Sequence, residues 1–165
     1  MISNINAFSI IRADYHNAVH CKAIVGLMDC YAKDPMGGGQ ALSDAVRDTL
    51  CSELAKIPGA ITLLAMEGDR GVALLTAFTG FSTFQCKPLF NIHDVIVLPG
   101  LRGRGLAQRL LASLEERAVA TGYCKLTLEV LSENHIAQQA YRRFGFTDYA
   151  LDPAAGKALF WEKKL

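Results

Sequence analysis

The segment from Asp94 to Ala118 constrains the fold of this chain more than any other. Asp94-Val95-Ile96-Val97-Leu98 is apolar and β-branched, the composition of a strand, and Pro99-Gly100 ends it. After the turn Arg102-Gly103-Arg104-Gly105, Leu106, Leu110, Leu111, Leu114 and Ala118 recur on one helical face, with Arg109, Glu115, Glu116 and Arg117 largely outside it. A strand that passes through a glycine turn into a helix leaves free N–H groups and a positive dipole end beside the strand's end. Small residues let backbone approach an anion closely, and Arg102 and Arg104 add mobile charge, so the turn is a candidate phosphate-binding site. Seen alone, a glycine pair before a helix reads equally well as a tight turn. A Rossmann fingerprint would place a third small residue where Gln108 stands, and the Gly-Lys-Ser/Thr of a phosphate-binding loop is absent.

The remaining pattern gives this segment its setting. Phe8 to Arg12 predicts a first strand, and Asp14 is a candidate cap for a helix carrying Val19, Ile24, Leu27 and Met28. That helix stops near Asp34-Pro35, and Pro35 to Gly39 reads as a loop. Ser43 caps a second helix with Val46, Leu50, Leu54 and Ile57 at helical spacing, ended by Pro58-Gly59. Ala60 to Met66 and Val72 to Thr79 form a hairpin, and a fourth strand runs from Asn91 to Leu98. Gly122 ends the third helix. A fifth strand spans Lys125 to Val130, and Ser132-Glu133-Asn134 opens a helix holding Ile136, Ala140, Tyr141 and Phe144 and stopping at Gly145. Phe146 to Leu151 and Ala158 to Trp161 read as two further strands completing the sheet. The expectation is one α/β domain over residues 1–165, a mixed, mostly antiparallel sheet of about seven strands with about four helices on its faces.

Charge and cysteine usage narrow the function. A formal net charge of +1 excludes the global basic field that supports non-specific binding to nucleic acid or an anionic membrane, so an anion must be held locally. An RNA-associated role for the Arg-Gly pairs would want disordered, repetitive segments or aromatic-basic repeats, and neither is present. The five cysteines, Cys21, Cys30, Cys51, Cys86 and Cys124, are odd in number and spread without the close pairs of zinc sites, which implies reduced thiols, no metal and a cytoplasmic protein. Residues 1–6 carry neither a basic region nor a long apolar run, so no secretory signal is expected, and no stretch approaches the roughly 20 apolar residues of a membrane span.

At this point the sequence resembles a family. Arg102-x-x-Gly105-x-Ala107 is similar to the acetyl-CoA signature of the GNAT superfamily of N-acetyltransferases. Glu129 to Asn134 with Ala140-Tyr141-Arg142-Arg143-Phe144-Gly145-Phe146 resembles the family's other strong segment. The resemblance is strong over residues 91–147. It implies a fold whose fourth and fifth strands splay apart, with acetyl-CoA as co-substrate. Its pyrophosphate would lie on the backbone of Arg102, Gly103, Arg104, Gly105, Leu106, Ala107 and Gln108, and its pantetheine arm along Val95, Ile96 and Val97 with Asn134. It also implies direct transfer to an amine, without an acetyl-enzyme, the Val97 N–H holding the thioester oxygen.

Acetyl transfer from a thioester needs a neutral amine, although a free alkylamine titrates near 10, and a proton for the departing thiolate. By resemblance Tyr141 is the general acid, the alternative being a core tyrosine, and Asn134 can equally cap its helix. The stretch Gly80 to Phe84 with Asn91-Ile92-His93-Asp94 is similar to spermidine/spermine-type acetyltransferases, with His93 in the place of the glutamate of their Glu-Asp pair. An imidazole titrates near neutrality, which makes His93 the candidate base, with Glu129 in reserve and a water relay as a further route. On an ideal strand His93 and Asp94 point to opposite faces, so one of them at most faces the acceptor unless a bulge intervenes. The resemblance puts Tyr31, Asp34, Met36 and the triple glycine at the acceptor pocket, and Asp34 and Asp44 could attract a cation. A small primary amine is the expected acceptor; an amino-acid derivative, a protein lysine or N-terminus, and a non-catalytic acyl-CoA sensor of the same fold are the alternatives. The resemblance is also compatible with a homodimer.

Overall fold

A run buried on both faces, Val72 to Ala77, lies in β3, Arg70–Ser82, the longest strand among the described residues and the axis of a five-stranded sheet. The computed structural model describes residues 8–149, 156 and 158–165. Within them lie β1 (Ser9–Arg12), α1 (Ala18–Ala32), α2 (Asp44–Lys56), β2 (Ile61–Glu67), β3, β4 (Lys87–Val97), α3 (Leu106–Ala120), β5 (Leu126–Leu128) and α4 (His135–Phe144), with single 3-10 turns at Pro35–Gly37 and Pro99–Leu101. Contacts divide the chain into two compact units, residues 1–128 and 129–165.

In the first unit the sheet order is β1-β2-β3-β4-β5, antiparallel throughout except for the parallel pair β4 and β5. Residues directly opposite in the ladder share a face. Leu64 pairs with Leu74 and Leu74 with Ile96, and these join Met66 in a core with Ala23, Ile24 and Leu27 of α1 and Cys51 of α2. The alternate residues, Leu63, Leu75 and Val95, face the other way, and α3 packs on β2, β3 and β4 with Leu106, Leu110, Leu111 and Leu114 buried. Burying one such leucine contributes about 1.5–3 kcal/mol, so its apolar stripe holds α3, and with it the preceding turn, in place.

The mixed, mostly antiparallel sheet and the four α-helices stand as expected, but the sheet has five strands among the described residues, not about seven. Phe146 to Tyr149 and residues 158–161 form no ladder; residues 150 and 151 lie outside the described ones. Alternating apolar residues supply a face but not a partner, and Leu159, Phe160 and Trp161 are exposed. Two boundaries also move. Asn17, rather than Asp14, caps α1 by accepting from the Val19 and His20 N–H groups, while Asp14 accepts from His16 N–H at 2.9 Å and folds the preceding turn. β4 begins at Lys87 rather than Asn91, because β3 continues to Ser82 and pairs with it across a turn in which Cys86 has φ 49°.

The second unit holds α4, capped by Asn134, whose Oδ1 accepts from Ala137 N–H at 3.2 Å. Gly145, with φ 110°, ends it, and its N–H donates to the Tyr141 carbonyl at 3.1 Å.

Candidate active site

The turn before α3 is built from unpaired donors. Leu101 N–H donates to Leu98 O at 2.8 Å and Arg102 N–H to Pro99 O at 3.3 Å, and further along Arg109 N–H donates to Gly105 O at 3.1 Å. The N–H groups of Gly103, Arg104, Gly105, Leu106 and Ala107 have no partner among the described residues, and no side chain caps α3. Gly103 and Gly105 have φ of 78° and 76°, a left-handed conformation that L side chains rarely adopt, and a Cβ at either would meet nothing within 4 Å. Open space in front of five donors at a helix start suits a pyrophosphate, and the exposed Arg104 adds charge. Arg102 is engaged elsewhere: its Nε donates to the Val97 carbonyl at 3.3 Å and its Nη2 to Asp34 Oδ2 at 3.0 Å.

Beside this turn the strand end is open. β5 pairs with β4 only at Phe90, Asn91 and Ile92, while β4 runs on to Val97. Leu98 N–H donates to Val72 O at 3.1 Å, so by the alternation of an antiparallel ladder Val97 and Val95 turn their N–H and C=O groups away from β3, toward the side β5 does not reach. This is the splay expected of the fourth and fifth strands.

A bulge marks where the splay starts. Thr76 pairs with Asp94 and Ala77 with Ile92, which leaves His93 as an extra residue in β4. The His93 ring meets Phe78 edge-on, with centroids 4.9 Å apart and planes at 85°. Phe78 lies two residues along β3 from Thr76 and so on its face, the face that Asp94 shares. The bulge therefore brings His93 and Asp94 to one side of the sheet, where a regular strand would part them. Burial pushes the Asp94 carboxyl above its ordinary value, against the opposing influence of His93. The Tyr31 hydroxyl of α1 is also raised, by burial first and then by the charges of Asp94 and Asp34.

Asp34 caps the 3-10 turn by accepting from Met36 N–H at 3.0 Å, and that bond, followed by the one from Arg102, holds its carboxyl below the usual range. Asp44 is paired with Arg47 at 3.5 Å. Among the five free cysteines, Cys51 is buried and its thiol is pushed up to about 12, which makes it a poor nucleophile at neutral pH. In the second unit, Asn134 accepts with Oδ1, and its Nδ2 donor has no partner among the described residues. Tyr141 is partly buried and meets Phe146 edge-on at 5.8 Å. Glu129, expected on the fifth strand, is exposed and follows its end at Leu128.

The raised carboxyl of Asp94 and the raised hydroxyl of Tyr31 are features that the sequence reading did not bring out. A signal existed in the strand pattern, since an acid inside an apolar strand is costly unless it has work or partners. No described group of three or more His, Cys, Asp or Glu side chains is placed to hold a metal ion, and no described helix is long and apolar enough to cross a membrane.

An uncapped turn of donors beside a splayed strand end gives this α/β fold a place suited to an anion. The acetyltransferase (GNAT) family pattern matches residues 24–146, and the chain belongs to that family. Streptothricin acetyltransferase of Streptomyces lavendulae is 36% identical over 93 residues, 56% of this chain and 48% of that protein. Mycothiol acetyltransferase of Gordonia bronchialis is 36% identical over 69 residues, 42% of this chain and 22% of that protein. The match thus spans about half or less of the length of these relatives. Among solved structures, an aminoglycoside acetyltransferase from an uncultured soil metagenomic sample, in complex with trehalose, superposes with a TM-score of 0.78 at 16% identity over 97% of each chain. Aminoglycoside N-acetyltransferase AAC(6')-Iy in complex with CoA does so at 0.71 and 18%, over 96% of this chain and 95% of that one. The chain has this α/β GNAT fold.

Proposed function

We propose that this chain transfers an acetyl group from acetyl-CoA to a small primary amine by direct transfer in a ternary complex. The observation that carries the reading is the meeting, in one unit, of five unpartnered N–H groups at residues 103–107 with the outward N–H groups of Val95 and Val97. Gly103 to Gln108 hold the pyrophosphate. Val95 and Val97 pair with the pantetheine arm, and Ile96 keeps the strand on the core; the role of Asn134 as a further donor to that arm rests on its place in the family pattern.

The amine's lone pair attacks the thioester carbon and the C–S bond breaks. The Val97 N–H holds the oxygen while it carries negative charge, Tyr141 gives its proton to the departing sulfur, and the amine loses its own proton at the β4 bulge. Asp94 and His93 stand together there. A carboxylate with raised affinity for protons is a better base than an ordinary one, and the exposed His93 passes the proton to solvent. The role of Tyr141 rests on its place in the family pattern. The names of the streptothricin, mycothiol and aminoglycoside acetyltransferases favour a small-molecule acceptor. Asp34 and Asp44 are already paired with arginines, which leaves Asp94 as the acid at the strand end and favours an amine over a polycation.

Isothermal titration with acetyl-CoA, followed by thiol release over a panel of amines, tests the reading. Wild type should bind and turn over. Gly105→Glu should abolish binding, and Tyr141→Phe should keep binding while kcat falls by about 10²–10⁴. Folded wild type that does not bind acetyl-CoA would sink the proposal.

A further inference from the structure

We propose that Arg102 is a positioning residue of the acceptor side and not a ligand of the phosphates: its guanidinium straps the end of β4 to the loop between α1 and α2. Three observations carry this. The guanidinium spends two donors inside the chain, on the Val97 carbonyl at 3.3 Å and on Asp34 Oδ2 at 3.0 Å, and its own N–H is given to Pro99 O. Asp34 is the residue from which the loop is folded. Its Oδ1 accepts from Met36 N–H, and its carbonyl accepts from the N–H groups of Gly37 at 2.8 Å and Gly39 at 3.1 Å. The far end of the loop is fixed independently, since Asp29 of α1 accepts from Leu42 N–H at 3.0 Å and pairs with Lys33 at 2.6 Å and with Arg47 of α2 at 3.3 Å.

The loop is thus anchored at its end to α1 and α2, and at its start both to α1 and, through Arg102, to the strand whose N–H groups face the acyl chain. Among the described residues, the Arg102 side chain hydrogen-bonds both the loop and the end of β4. The Tyr31 hydroxyl, which donates to Met36 O at 3.3 Å, ties the start of the loop to α1. Removing the strap lets residues 34–39 drift from the base and the thioester carbon without altering the donors at residues 103–107. The consequence for catalysis rests on the function proposed above; the strap itself does not.

Two measurements on Arg102→Gln, Arg102→Lys and Asp34→Asn decide it. Hydrogen exchange at Gly37 and Gly39 is followed in the unliganded protein, and acetyl-CoA affinity is measured by titration. Asn at position 34 can still cap the 3-10 turn, so Asp34→Asn removes the pair with little disturbance of the turn. Exchange should quicken by about two- to fivefold in Arg102→Gln and in Asp34→Asn, the range of an exposed ion pair, with Arg102→Lys between them and wild type, and the two changes combined should add nothing. Acetyl-CoA affinity should change by less than about fivefold, whereas a lost charge-assisted phosphate contact would cost about tenfold or more. With an acceptor in hand, KM for the amine should rise while kcat holds. Unchanged exchange in Arg102→Gln, or a loss of acetyl-CoA affinity of fivefold or more in that variant alone, would overturn the strap. A wild-type protein that binds no acetyl-CoA would remove the proposed function and leave the exchange result to judge the strap by itself.

Discussion

Thr76 of β3 stands directly across from Asp94 of β4, while the next residue of β3, Ala77, stands across from Ile92, so His93 is the one residue of this stretch without a counterpart in the ladder. The insertion puts a half-buried carboxyl and an exposed imidazole on the same side of the sheet. Their roles separate by pH. In wild type, kcat/KM should rise with pH along a limb set above the ordinary carboxylate value, since Asp94 must lose its proton to act. Asp94→Asn should lower kcat/KM by about 10²–10⁴ and abolish that limb, whereas His93→Ala should retain it at a reduced rate. A pH profile of both variants checks this, and a limb that survives Asp94→Asn would assign the base elsewhere.

The same carboxyl affects stability. Its folded pKa lies above the unfolded one, so between the two values the native state holds a proton that the unfolded chain has released. Stability from this group is therefore fully present below the ordinary carboxylate value and is lost as pH rises through the raised one. Asp94→Asn should remove this decline and be more stable than wild type at neutral pH, an inversion of the usual cost of replacing a largely enclosed side chain. Urea midpoints at acidic and neutral pH measure it; a variant less stable at both would show that Asp94 makes favourable contacts as a carboxylate.

Much of this arrangement is written locally in the chain. The strand Asp94 to Leu98, the glycine turn and the leucine stripe of α3 are within reach of one another in sequence, and the Ser43 cap and the Gly145 stop depend on neighbours only. What escaped depends on partners far along the chain. The bulge at His93 exists only in register with β3, and the Arg102–Asp34 pair joins residues 68 positions apart. Asp14 and Asn17 are both competent caps, and the start of the helix chooses between them. The two last strands failed for the same reason: alternation is local, whereas a ladder is not.

Gly105 tests the turn without disturbing the core. Its φ of 76° strains any L residue, but a Cβ there would meet no neighbour, so Gly105→Ala should cost only about 1 kcal/mol of stability. The methyl group would stand in the space assigned to the pyrophosphate, and acetyl-CoA affinity should fall by more than the stability change explains. Thermal melts beside titrations separate the two effects. Affinity equal to wild type in a folded variant would place the phosphates elsewhere.

Behind the bulge runs a row of hydroxyls. Tyr15 Oη lies 3.0 Å from Thr62 Oγ1, and Thr62 Oγ1 lies 3.1 Å from Thr76 Oγ1, with both threonines buried. Thr62→Val keeps the shape but takes from Thr76 and Tyr15 their shared partner, which should cost about 1–3 kcal/mol. Adding Thr76→Val removes one of the stranded groups, so the double variant should cost less than the two single changes summed. Thr76 is also the residue facing Asp94, and exchanging its hydroxyl for a methyl makes that surrounding less polar. The carboxyl should then be raised further, and the acid limb of kcat/KM should move to higher pH in Thr76→Val while staying nearer its wild-type position in Thr62→Val. Equal limbs in the two variants would mean that the row supports the sheet alone and leaves the charge of Asp94 untouched.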